Sequence, residues 1–354
     1  MEMDISKIDK NFKVETTLKE TDICFYSVRE EPFRVYGLLD EGGKFRRIPA
    51  DVAASVNVGV NDRHANAAGG RVRFVTDSPY IAIKVKLEHI TRMSHFTLCG
   101  SAGFDLYSKD EGGYVYRETF IPPYAMQDGY ESIKYPAGGG VERAYQINLP
   151  LYTDVVEMYV GIKEGSTLRA AEGYLNSLPV VFLGSSITQG GCASRPGNSY
   201  EEMLSRRLNM DYINLGFSGS CRAEDEMMDY IASLKMSAFV YDYDYNTKSP
   251  EHLAETHEHG FLKIRAAHPE LPIILMSAPA YKPVGVMAKR REIVKMTYDN
   301  AIARGDKNVY YIDGDTLMAL CREGGTVDNV HPNDLGFTSM AEALYNVMKE
   351  INLK

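Results

Sequence analysis

From about residue 175 onward, five short apolar runs alternate with five longer helical stretches. That rhythm restricts what the chain can fold into more than any other feature. The runs are Val180–Leu183, Tyr212–Asn214, Ala238–Asp242, Ile273–Met276 and Val309–Ile312. Each is short and rich in β-branched or aromatic residues, as buried strands are. Helical stretches fill the gaps at about 199–208, 223–234, 250–267, 287–304 and 334–350. Ser199 with Glu202 three residues on reads as a capping box, and Gly305 stops the fourth helix. Such alternation implies α/β architecture, a parallel sheet with helices on both faces.

The front half has a different rhythm. Residues 1 to about 20 are charged and weakly patterned, a loose arm or an edge strand. Arg71–Thr76 alternates, Asp77-Ser78-Pro79 turns, and the next run puts Ile81, Ile83, Val85 and Leu87 on one face, with Lys84 and Lys86 on the other. Further strands are expected at Phe96–Leu98, Phe104–Tyr107, Tyr114–Phe120, Ala144–Leu149 and Val155–Ile162, with glycine-rich turns between and no convincing helix. This predicts an antiparallel β-sandwich of jelly-roll type. The expected division is a sandwich over residues 1–170 and an α/β domain over 175–354.

A chain of 354 residues is long enough for two cores. A net charge of −9 argues against nucleic acid and anionic membrane as partners. No apolar run approaches the ~20 residues of a membrane span. Met1–Ile5 lacks a basic segment leading into an apolar one, so no signal peptide is read. Five scattered cysteines without a C-x-x-C pair read as reduced thiols of a cytoplasmic protein and argue against a zinc knuckle.

The chemistry centres on Val180 to Gly190, where a strand ends in Gly184-Ser185-Ser186. Ligands of open α/β sheets bind at the carboxyl ends of strands, so Ser186 is delivered where a nucleophile is useful. A lone serine there is usually a turn or cap residue. A second motif raises its standing: Asp328 and His331 lie three apart before the terminal helix, and supply the base and the carboxylate that orients it. The bland reading is a solvent loop with a cap at Asn333 or Asp334. Gly219 and Asn246 follow the second and third strands and suit an oxyanion-binding pair, although singly each reads as a turn glycine and a cap. Asp242 and Asp244 lack companions for a metal site. The His257-Glu258-His259 spacing does not put both rings on one helical face, and reads as a solvated patch. Cys192 is expected in the pocket wall. Arg195 either binds substrate or pairs with a carboxylate.

These blocks resemble the SGNH, or GDSL, hydrolase superfamily. Gly184-Ser185-Ser186-Ile187-Thr188 is similar to its Gly-Asp-Ser-Leu block, with Ser185 replacing the usual aspartate. Gly219, Asn246 and the Asp328–His331 pair match the remaining blocks, though Tyr241-Asp242-Tyr243-Asp244-Tyr245-Asn246 departs from the Gly-x-Asn-Asp form. The resemblance implies a flavodoxin-like three-layer α/β/α hydrolase domain. It implies a Ser186–His331–Asp328 triad, with oxyanion donors at Ser186, Gly219 and Asn246. Gly103-Phe104-Asp105-Leu106-Tyr107 is similar to the Gly-x-Asp-Leu-Tyr signature of a sandwich domain found ahead of some bacterial members. Such two-domain proteins resemble esterases that deacetylate hemicellulose sugars. The expected function is therefore removal of small acyl groups, chiefly acetyl, from acetylated manno- or xylo-oligosaccharides. No metal or organic cofactor is required. Asp105 is either a strand-end residue or a substrate contact. A lysophospholipase or thioesterase acting on longer chains, and a glycan-binding protein without turnover, are the alternatives. An exposed sheet edge would allow a homo-oligomer.

Overall fold

The computed structural model describes residues 18–351 and Leu353. The expected N-terminal arm thus lies almost wholly outside the described residues.

The back half builds a five-stranded parallel sheet from Val180–Gly184, Tyr212–Gly216, Ala238–Asp242, Ile273–Met276 and Val309–Ile312. In space the order is second, first, third, fourth, fifth, all parallel. Both faces of the sheet are covered, which is why its strands read as unbroken apolar runs. Val180, Phe182, Val240, Ile274 and Met276 pack with Leu204, Phe337 and Leu344, which come from helices Tyr200–Leu208 and Asp334–Met348. The alternate residues Val181, Leu183, Phe239, Ile273 and Leu275 pack with Ile231, Phe261 and Val294 of helices Asp225–Ser233, Pro250–Ala267 and Gly285–Ala303. The result is three layers, α/β/α. Helix ends match the sequence reading within two residues, and the short helix Gly314–Leu317 was not foreseen.

The front half is an antiparallel sandwich. One sheet orders Ile23–Ser27, Asp154–Lys163, Ile81–Glu88 and Gly129–Lys134. The other orders Leu168–Arg169, Arg71–Thr76, Arg143–Asn148, Phe104–Asp110 and Gly113–Phe120, with Arg34–Tyr36 added beside Arg71–Thr76. Val72, Phe74, Leu106 and Ile147 face Ile83, Val85, Val155 and Val160 across its core.

Two expectations fail here. Helices do occur, at Ala50–Val56 and Val58–Arg63; the Asn57 side chain accepts from Val60 N and starts the second. Their buried Ala53, Val56 and Val60 join the core of the back half. Phe96–Leu98 is not a strand either. The Thr97 hydroxyl accepts from Gly100 N at 3.1 Å and opens a turn of helix, Leu98–Ser101.

Besides these apolar contacts, the two halves meet through buried polar groups. Along Arg71–Thr76, the residues alternating with Val72 and Phe74 point away from the sandwich core, yet they are buried. Arg71 Nη2 donates to Tyr212 O at 2.7 Å and to Asp211 Oδ1 at 2.9 Å, and its guanidinium lies 3.9 Å from the Tyr212 ring centre. Gln146 Nε2 donates to Glu202 Oε1 at 2.6 Å, and Tyr212 OH donates to Glu202 Oε2 at 3.0 Å. The anticipated capping box is therefore half formed. Ser199 caps Glu202 N at 3.4 Å, while the Glu202 carboxylate turns inward to this interface.

Arg71→Ala should destabilise the protein by roughly 1–3 kcal/mol, since the buried Tyr212 carbonyl loses its donor and the partly exposed Asp211 its partner. Urea unfolding checks this; an unchanged midpoint would show that the junction carries no such weight.

Candidate active site

The first strand lies between the second and third, so successive crossovers leave it in opposite directions and open a crevice at its carboxyl end. Gly184 ends that strand. A Cβ there would fall 1.9 Å from Thr188 Oγ1 and 2.5 Å from Asp242 O, so only glycine lets the chain turn this tightly. The turn leaves Ser186 half-buried at the crevice. Its carbonyl accepts from Gly191 N at 2.8 Å and from Tyr152 OH at 3.0 Å.

Ser186 Oγ lies 2.9 Å from His331 Nε2. His331 Nδ1 lies 2.7 Å from Asp328 Oδ2, and Asp328 Oδ1 accepts from the backbone N–H of His331 at 2.7 Å and of Val330 at 3.1 Å. Partial burial alone would raise the Asp328 carboxyl. The donors from His331 and Val330 outweigh it and bring the group down to about 2, so it stays ionised at any working pH. A hydroxyl facing an imidazole that a carboxylate orients is the arrangement of Ser–His–Asp nucleophilic catalysis.

The supporting loops are tied to one another. Asn333 caps the terminal helix, accepting from Leu335 N and Gly336 N at 3.0 and 3.1 Å. Asp334 accepts from Ser194 N at 2.9 Å, from Ser194 Oγ at 2.5 Å and from Asn198 Nδ2 at 2.8 Å. The segment after the nucleophile is thus fastened to the helix that follows the histidine.

Gly219 sits in the left-handed region, at φ +65, in the loop after the second strand. Among the described residues, neither its N–H nor that of Ser186 has a hydrogen-bond partner. Asn246 behaves differently from the expectation. Its Nδ2 donates to Phe217 O and to Cys221 O, both at 2.9 Å. Both amide hydrogens are engaged in holding the loop that carries Gly219, which leaves none for an oxyanion in this conformation.

Of the alternatives read for Asp105 and Arg195, the structure shows the pairing of the two with each other. Asp105 is fully buried and accepts from Asn148 Nδ2, Arg195 Nη1 and Gly197 N at 2.8–2.9 Å. Arg195 is its partner and also bonds Tyr107 OH. These contacts clamp the sandwich to the back half, and a buried carboxylate needs such pairing.

Of the other groups, Asp242 and Asp244 are buried. Asp242 Oδ2 accepts from Thr188 Oγ1 at 3.1 Å, and Asp244 Oδ2 accepts from Ala278 N at 2.8 Å. His257 is buried as well, contrary to the solvated patch read for it; it is stacked on Tyr241, and burial drives it down to about 3. His259 does point outward, to Asp225. Cys192 is buried in the core with Leu151, Tyr152 and Ile187.

Several site residues carried no sequence signal. Tyr152 and His95 come from front-half loops; His95 Nε2 is 3.9 Å from Asp328 Oδ2. Gln189 lay within the nucleophile block unread. Its Oε1 accepts from Ser218 N at 3.0 Å, and its Nε2 donates to Asn66 Oδ1 at 2.9 Å and to Leu151 O at 3.2 Å. Arg47 donates to Gly216 O and lies over the Phe217 ring.

Comparison with known proteins agrees with this architecture. Residues 177–349 match the GDSL-like lipase/acylhydrolase family, and residues 23–168 match the N-terminal domain of SGNH-hydrolase-type esterases. The chain belongs to this class of two-domain GDSL/SGNH esterases. A protein of Bacteroides ovatus described as a GDSL-like lipase is 28% identical, with a TM-score of 0.84 over 93% of this chain and 98% of that one. A salicylyl-acyltransferase from a tetracycline biosynthetic pathway is 20% identical, with a TM-score of 0.75 over 94% and 98%. A family two carbohydrate esterase from Cellvibrio japonicus shares the fold at 12% identity, with a TM-score of 0.61 over 93% and 98%. No curated protein matches the chain.

Asn246→Ala should cost about 1–3 kcal/mol in urea unfolding, because two buried carbonyls lose their donors. An unchanged midpoint accompanied by a large loss of rate would restore Asn246 as an oxyanion donor.

Proposed function

We propose that this esterase removes small acyl groups, chiefly O-acetyl, from hemicellulose-derived oligosaccharides through an acyl-enzyme. The observation that carries the proposal is the relay from Ser186 Oγ to His331 Nε2 to Asp328 at the mouth of the crevice.

In this reading His331 Nε2 takes the Ser186 proton as Oγ attacks the ester carbonyl carbon. The tetrahedral oxyanion rests on the N–H groups of Ser186 and Gly219; losing one such donor typically costs ~100- to 1000-fold in rate. The acyl C–O bond to the sugar breaks, and the imidazolium gives its proton to the departing sugar oxygen, which leaves as a hydroxyl. Water then attacks the acyl-enzyme, with His331 again as base, and releases acetate. Asp328 keeps Nδ1 protonated and stabilises the imidazolium without itself taking the proton.

The choice of an acetylated sugar draws on neighbours of the same fold. One is described as an acetyl xylan esterase from the rumen bacterium Butyrivibrio proteoclasticus, and a family two carbohydrate esterase from Clostridium thermocellum was solved with cellohexaose. A cytoplasmic location, argued from the unpaired cysteines, would supply imported oligosaccharides rather than polymer.

Ser186→Ala should lower p-nitrophenyl acetate hydrolysis by at least about 1000-fold while the unfolding midpoint holds. Wild-type turnover should fall steeply from acetate to decanoate esters, and acetate should be released from acetylated manno- or xylo-oligosaccharides. An optimum on long chains would favour a lysophospholipase or thioesterase instead. Asp328→Asn should cost on the order of 10⁴-fold in kcat, through loss of the tautomer that leaves Nε2 free.

A further inference from the structure

Three segments far apart in sequence bring metal-ligating atoms together beside Ser186. His95 comes from a front-half loop, Cys192 from the turn after the nucleophile, and His331 from the loop before the terminal helix. One ligand atom from each lies within 4.8 Å of the others. We propose that His95, Cys192 and His331 form a zinc site whose occupancy switches the esterase off.

Two histidines and a thiolate suit a borderline-soft divalent ion such as zinc better than magnesium or calcium, which prefer oxygen. Tetrahedral zinc at about 2.0–2.3 Å from its ligands separates them by roughly 3.5 Å, so the trio must draw in by about 1 Å. His95 can make that movement. Its ring is exposed, and among the described residues its nitrogens make no hydrogen bond shorter than the 3.9 Å approach to Asp328. Cys192 is 7% exposed, and its Sγ has no hydrogen-bond partner among the described residues. The His331 and His95 rings are already neighbours, 5.6 Å between centres and tilted by 46°.

A metal-binding histidine ordinarily presents its second nitrogen to a carboxylate, which fixes the ring and strengthens the ligand. His331 has that partner in Asp328, at 2.7 Å. With Nδ1 so held, His331 coordinates through Nε2, the atom that otherwise accepts the Ser186 proton. A base bound to zinc cannot take that proton, so binding and turnover exclude each other. The fourth position stays open, for water or for the Ser186 hydroxyl.

Binding displaces the thiol proton: Cys192 S–H and Zn²⁺ give a Zn–S bond and H⁺, with no change of oxidation state. The thiol must lose its proton to bind, so zinc competes with the proton and its affinity should rise with pH. Loss of activity rests on the esterase reading above; binding of the metal does not.

The test is a titration of the full chain with Zn²⁺ against a chromophoric chelator at pH 6 and pH 8, beside p-nitrophenyl acetate hydrolysis. One zinc per chain is expected, bound at least tenfold more tightly at pH 8. Ser186→Ala should bind it comparably although it does not turn over, which separates this proposal from the esterase reading. Cys192→Ser and His95→Gln should each weaken binding at least tenfold, and shift zinc inhibition by the same factor relative to their own zinc-free rates. Co²⁺ should produce a near-ultraviolet thiolate charge-transfer band that Cys192→Ser abolishes. Absence of stoichiometric binding, equal affinity in the variants, or no thiolate band would each overturn the site. Stoichiometric binding with undiminished hydrolysis would overturn the switch.

Discussion

A single hydrogen bond, Ser186 Oγ to His331 Nε2 at 2.9 Å, joins residues 145 apart in sequence. It cannot form unless the parallel sheet closes in the right order and the last helix packs back beside the first strand. The order second–first–third places Gly184 next to both Gly216 and Asp242, so three loop origins share one crevice. Phe182, Tyr200 and Phe337 then pack in one core, which sets the terminal helix against the first strand. The Asn333 cap and the Asp334 contacts to Ser194 and Asn198 finish the alignment at the loops themselves. Hydrophobic burial thus positions the layers to within a few ångströms, and short polar ties deliver the reacting atoms.

The sandwich is part of this machinery. Its outward face carries Arg71, Asp105, Gln146 and Asn148, side chains that would ordinarily face water. Each is matched by a partner on the back half or beside it, which limits the desolvation penalty of burying them. Polar matching of this kind fixes orientation more tightly than an apolar seam, because a slipped register leaves charges unpaired. From that fixed platform Tyr152 holds the Ser186 carbonyl, Arg47 holds Gly216 O, and Asn57 Nδ2 reaches Ser220 O at 3.2 Å. The loops that carry both proposed oxyanion N–H groups therefore have front-half residues bonded to them.

Much of this was legible in the sequence, and the divide is physical. The five parallel strands were readable because both faces are buried and leave uninterrupted apolar runs. Ser186, Asp328 and His331 were readable because local spacing carries them: a strand end and an i to i+3 pair. Gly129–Lys134 was missed because its sequence, GYESIK, lacks clean alternation. The helices at 50–63 were missed because their burial comes from the back half, which no local window contains. Asn246 was placed correctly at its strand end, but the direction of its amide depends on two carbonyls 25 and 29 residues away. His95 and Asp105 owe their roles to partners 233 and 90 residues off in the chain, beyond any periodicity.

The most direct measurement of the central claim is covalent trapping of the nucleophile. The protein is treated with a fluorophosphonate and the adduct located by peptide mass spectrometry. One adduct per chain is expected, on Ser186, forming more slowly by on the order of 10³-fold when His331 is replaced by alanine. An adduct on another residue, or labelling of Ser186 at an undiminished rate without the imidazole, would contradict it.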